Sequence, residues 1–165
     1  MAVYRFSLSR FQCNGDVAVK YIRVGVGELC IVKLDSGEHI PSTLVKLAEE
    51  LRALLLVFHG LGGFKYAKIG FFREQGGYSV VEVHASSESV LEVASLTGSV
   101  LWTGEKYHVH AHVALGGLGT ADTATITYAG HLIEAVVDPL LELFVLVYPE
   151  TPTGVLREVL PHRFS

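Results

Sequence analysis

Residues 107–115 read Tyr-His-Val-His-Ala-His-Val-Ala-Leu, and the alternation constrains the fold more tightly than any other feature of the chain. One parity carries Tyr107, Val109, Ala111, Val113 and Leu115, and the other carries His108, His110 and His112. Successive side chains on a strand point to opposite faces, whereas a helix would spread both sets around its circumference. The segment is therefore a strand with its apolar face on a core. Its histidine face turns toward solvent, a cleft or a subunit boundary.

The rest of the sequence keeps the same company. LLLVFH, FKYAKIGFF, YSVVEVH, VLEVASLTG, VLWTG and ATITYAGHL read as short strands divided by glycine-rich turns. HGLGGFK at 59–65 and GGLGTAD at 116–122 are read as a tight turn and a hairpin connection. The N-terminal dozen residues alternate up to CNGD at 13–16, an Asn-Gly turn that opens a hairpin. Only LVKLAEELRALL breaks the pattern: Leu44, Leu47, Ala48 and Leu51 recur at helical spacing, predicting a helix over 41–53 with Pro41 in its first turn. Leu140–Val147 is apolar at nearly every position, which suits a strand buried on both faces or covered by another subunit. TPTGVLREVLPHRFS forms a mixed C-terminal arm. The fold class is α+β, a mainly antiparallel sheet with one principal helix packed on it. Residues 1–165 make a single domain.

Composition narrows the function. Half the 165 residues are hydrophobic and only 18% are charged, below the roughly 25% usual for soluble proteins. Disorder is excluded, and some apolar surface is expected to meet a partner chain. Thirteen Lys and Arg against 17 Asp and Glu give a net charge of -4, the wrong sign for holding nucleic acid through the overall field. No run approaches the roughly 18 apolar residues of a membrane span, and MAVYRFSLSRF lacks a signal-peptide apolar block, so the chain is read as cytoplasmic. Cys13 and Cys30 form neither a disulfide framework nor a cysteine zinc site within one chain, and read as free thiols. A single Asn, two Gln and one Met point to a thermophile, against which the low charge content argues.

Chemistry concentrates in the histidines. Two imidazoles two residues apart on a strand can converge on one ion, and a third from an adjacent strand completes a site with an open position for water. His110 and His112 supply the pair and His131, in YAGHL, the third. Zinc is the usual ion for such ligands. The alternative is a wet polar strand face, or a metal-free cluster that moves protons. His108 shares the face, and Glu92, a carboxylate within VLEVASLTG, either orients a ligand from behind or is simply solvated. His84 ends an alternating strand whose face it shares with Tyr78, Val80 and Glu82, a face that could neighbour the cluster. No GxGxxG, GxSxG, HExxH or kinase signature occurs.

LDSGEHI at 34–40, GLGGFKYAKIGFF at 60–72, LEVASLTG at 91–98, HAHVAL at 110–115 and AGHL at 129–132 follow one another in the order of a known family. The chain resembles the PPC domain, conserved in plants and prokaryotes and found at the C-terminal end of plant AT-hook nuclear proteins. The resemblance covers about residues 29–147, leaving an N-terminal hairpin extension at 1–28 and the arm at 148–165. Its most specific parts are E-x-x-S-L-x-G, HxHVxL and the following GHL. Matched position by position, it places the family's HxH pair on His110 and His112, its GGHL histidine on His131 and its strand glutamate on Glu92. His108 is additional, and Ala129-Gly130 stands where the family has Gly-Gly. The plant partner segment GRFEIL corresponds to Ser89–Ala94, where only Glu92 and the apolar character survive, so that partner function is not carried over.

The resemblance implies an α+β homotrimer and DNA binding. The plant proteins grip DNA through an Arg-Gly-Arg core, and no such tripeptide occurs here. The expected protein is thus a homotrimeric PPC-like module with a zinc-binding histidine cluster, DNA binding resting on family likeness alone. The alternative is a zinc-dependent hydrolase or lyase acting on a small molecule, with His110, His112 and His131 holding zinc and Glu92 or His108 assisting proton transfer.

Overall fold

A computed structural model describes residues 8–13, 17–118, 125–150, 156 and 159. Strands β1 (Leu8–Cys13) and β2 (Val17–Ile22) pair antiparallel as a separate two-stranded sheet, the expected N-terminal hairpin. The Asn-Gly turn, most of GGLGTAD and most of the C-terminal arm lie outside the described residues. There follow β3 (Glu28–Asp35), β4 (His39–Ile40), α1 (Ser42–Glu50), β5 (Leu55–Phe72), β6 (Tyr78–His84), β7 (Leu91–Trp102), β8 (Tyr107–Leu118) and β9 (Thr125–Tyr148). All their pairings are antiparallel. The α+β class holds: among the described residues, a largely antiparallel sheet with one principal helix.

The sheet closes on itself. β5 pairs β7, β7 pairs β8, β8 pairs β9 and β9 returns to β5, while β3 and β6 extend the two free sides. Closure removes edges from the middle strands and gives the curved sheet a single enclosed face. Phe58, Phe64, Ile69, Leu96, Val100, Leu115, Leu141 and Leu143 fill that face. Helix α1 turns Leu44 and Ala48 into the same core, with Leu47 and Leu51 beside them, the i, i+3, i+4, i+7 face that the spacing predicts. It starts and ends within three residues of the predicted span, and Pro41 occupies its N-cap position.

Two expectations are corrected. Glycine punctuation suggests many short strands, but the segments merge: LLLVFH and FKYAKIGFF are one strand, VLEVASLTG and VLWTG another, ATITYAGHL and Leu140–Val147 a third. HGLGGFK is consequently no turn. It lies inside β5, where the register slips between Gly60 and Gly62 and again before Phe64. Gly62 has φ +145°, and a Cβ on Gly63 would collide with the Asp138 carbonyl oxygen of β9. The glycines bend the strand and let β9 pass close beside it.

The second correction concerns one of the two readings of Leu140–Val147, burial on both faces by the chain itself. Within one chain it is not covered on both faces: Leu141, Leu143, Val145 and Val147 are buried, whereas Phe144 and Leu146 are 41% and 37% exposed. Its outer face stays open. Among the described residues no helix is long and apolar enough to cross a membrane.

Candidate metal centre

Strand β8 sets the first two members of the site. Its apolar side behaves as the alternation requires, with Ala111, Val113 and Leu115 buried in the core. His110 and His112 consequently point outward and are exposed. The ladder supplies the third member, because His112 of β8 stands directly opposite His131 of β9. The imidazole centroids lie 5.3 Å apart for His110 and His112, 5.3 Å for His110 and His131, and 5.4 Å for His112 and His131. The three rings form a compact triangle on the outer surface of the closed sheet.

This geometry fits a metal ion. One nitrogen from each ring can be chosen so that all three lie within 4.8 Å of one another. Side-chain rotation closes that to the roughly 3.3 Å separating ligand nitrogens around a tetrahedral ion with bonds of about 2.0–2.1 Å. The electrostatics agree. Partial desolvation of its ring lowers the pKa of His110, with the neighbouring His112 adding to the effect. His131 is lowered first by burial and then by His110 and His112. Neutral imidazoles keep the lone pairs that a metal needs, so the lowering at His110 and His131 favours the binding-competent form near neutral pH.

The other candidates sit elsewhere. His108 is half-buried opposite Leu101, at the end of β8 away from His131. Glu92 is exposed on β7, opposite Gly116 of β8 and Gly63 of β5. It lies five positions from Thr97, the residue paired with His112, which is about 16 Å along an extended strand. His84 packs on Tyr66, with ring centroids 5.0 Å apart. Together they line an open cleft of about 610 Å³ with Lys65, Ser86, Ser89 and Asp138, away from the triad. The residue of β6 that does reach the cluster is Tyr78, whose ring stacks on His131 at 5.1 Å and an interplanar angle of 22°. The sequence carries only a faint sign of this, the face that Tyr78 shares with Val80, Glu82 and His84.

The triad also adjoins an apolar surface. One cross-strand row runs Leu29, Leu146, Val57, Ser99 and His110, and its neighbour runs Ile31, Phe144, His59, Thr97 and His112. Leu29 and Ile31 are 60% and 75% exposed, and Val57, Phe144 and Leu146 are exposed as well. The composition's surplus of apolar surface thus lies largely on the outer face of β3, β5 and β9, with Ser99 and Thr97 of β7 between it and His110 and His112.

Solved structures of other proteins resemble the fold. A metal-containing protein from Archaeoglobus fulgidus superposes with a TM-score of 0.64 at 28% identity, over 76% of this chain and 82% of that one. A provisionally named DNA-binding protein from Ralstonia eutropha gives 0.60 at 25% identity, over 73% and 78%. A plant- and prokaryote-conserved (PPC) protein from Pyrococcus horikoshii shares the fold at 0.64 and 24% identity, over 94% and 93%. No curated sequence matches the chain. The Plants and Prokaryotes Conserved (PCC) domain matches residues 21–149, from the end of β2 through β9, and the chain belongs to that family.

Proposed function

We propose that this chain is a metal-binding assembly module, a homotrimer in which His110, His112 and His131 of each subunit hold zinc. The observation that carries the reading is the convergence of three imidazole nitrogens within 4.8 Å on the outer face of the sheet. The similar Archaeoglobus protein, described as metal-containing, supports it. Three protein ligands leave a fourth position, through which a bound ion could polarise water or a ligand. Self-association is supported by the exposed apolar rows of β3, β5 and β9, whose side chains lie in adjoining rows rather than scattered singly.

Direct DNA binding finds weaker support. The Ralstonia neighbour bears a DNA-binding designation, but this chain has a net charge of -4 and lacks the Arg-Gly-Arg tripeptide. Phosphate neutralisation requires clustered Lys and Arg, which the sequence does not provide.

Metal analysis of protein purified without a histidine tag tests the site. One zinc per chain is expected, lost in the double variant His110→Ala, His112→Ala. Metal content that survives the double substitution would show that these are not the ligands.

A further inference from the structure

We propose that Tyr78 is a positioning residue for the candidate metal centre, its ring fixing the plane of the His131 imidazole. The role rests on the reading of His110, His112 and His131 as ligands. It follows from how three strands cross at one residue without a side chain. Gly70 of β5 stands opposite His131 of β9 on one side and Val80 of β6 on the other, so the three share a face. Tyr78 lies two residues before Val80 on that same face, paired with Phe72. The direct line from Tyr78 to His131 therefore runs diagonally over Gly70. A Cβ on Gly70 would sit 2.8 Å from Tyr78 Cδ1 and 3.1 Å from Ile133 Cδ1. The absent side chain is the notch through which the phenol ring reaches its partner.

The ring has two aromatic neighbours. Phe72 meets Tyr78 edge-on at 5.7 Å and 74°, and His131 stacks near-parallel on it at 5.1 Å and 22°. The imidazole of His131 is thereby bracketed by Tyr78 and by the rings of His110 and His112. Rotation about the last side-chain bond of a histidine is soft, and a ligand that must be re-aimed for each binding event binds more weakly. Groups behind a metal-ligating histidine that set its ring orientation commonly matter about 10-fold to 100-fold in affinity. A stacked ring performs that task here through shape, so phenylalanine should serve nearly as well as tyrosine.

The test combines zinc affinity with a metal-free readout. In the tag-free 165-residue chain, competition against a chelating dye should show zinc binding weakened about 10-fold by Tyr78→Ala and changed less than about twofold by Tyr78→Phe. Gly70→Val, which fills the notch, should reproduce the alanine variant with Tyr78 still present. In the zinc-free protein the ring proton resonances of His131, assigned by their loss in His131→Gln, should lose the ring-current shift of Tyr78 in Tyr78→Ala and keep it in Tyr78→Phe. Wild-type protein that takes up no zinc but shows this shift overturns the metal reading and not the ring contact. Zinc affinity unchanged in Tyr78→Ala, whether or not its melting temperature falls, overturns the positioning role.

Discussion

Three imidazoles packed against one another on one surface make the chain's response to acid a property of single side chains. The pKa values of His110 and His131 are lowered from the ordinary 6.5, chiefly by burial, so the unfolded chain takes up their protons before the folded chain does. Above about 6.5 both states are neutral at these positions and stability is unaffected. As pH falls through that value protons drain toward the unfolded state, and the loss continues until the folded-state pKa values are passed. Thermal melts of the zinc-free chain should therefore fall in midpoint between pH 7 and pH 5. The fall should be shallower in the His110→Ala, His131→Ala double variant, and equal slopes would contradict the assignment. The members of this cluster were legible in the sequence because two periods intersect: alternation puts His110 and His112 on one face, and the AGHL histidine needs only to lie on an adjacent strand. Tyr78 was not legible, since its contact depends on a diagonal across Gly70 that no spacing along the chain records.

Secondary structure was readable where one rule acted alone. The helix follows from its apolar spacing, and β8 from its alternation, both without knowledge of what they pack against. The long strands were hidden because glycine has two meanings in a β-rich chain. At 59–65 it spells a turn to local reasoning, yet in β5 it marks a bend that must lie flush against β9, and only the neighbouring backbone decides between them. Gly63 makes the difference measurable. A turn glycine exposed to solvent would tolerate alanine where its φ allowed, whereas here the added methyl would strike the Asp138 carbonyl oxygen, a backbone atom with little room to retreat. Gly63→Ala should thus lower stability by about 1–3 kcal/mol, the range for overpacked interiors, in urea unfolding followed by circular dichroism. A cost near zero would mean that the two strands are not so closely apposed. The same bend carries β5 from its pairing with β7 to its pairing with β6, and so delivers Gly70 to its place beside His131.

On the scale of the molecule, the question is what covers the outer face of β3, β5 and β9. Sequence composition indicated surplus apolar surface and the continuous run Leu140–Val147 suggested where, but one chain buries only alternate residues of that run. Ile31, Phe144 and Leu146 remain exposed in adjoining rows, an arrangement better suited to a packed interface than to water. Under the proposed trimer these residues are interior to the assembly, and light scattering should give about three times the 17.9 kDa chain mass. A carboxylate buried in such a contact without a partner is strongly unfavourable, so Ile31→Glu with Leu146→Glu should shift the protein to monomer. Both side chains are exposed in the single chain, and the double variant should consequently keep the far-ultraviolet circular dichroism of the parent. A folded double variant that still scatters as a trimer would place the interface on another face. A wild-type monomer would remove the trimer altogether, and would leave the apolar rows in need of a different partner.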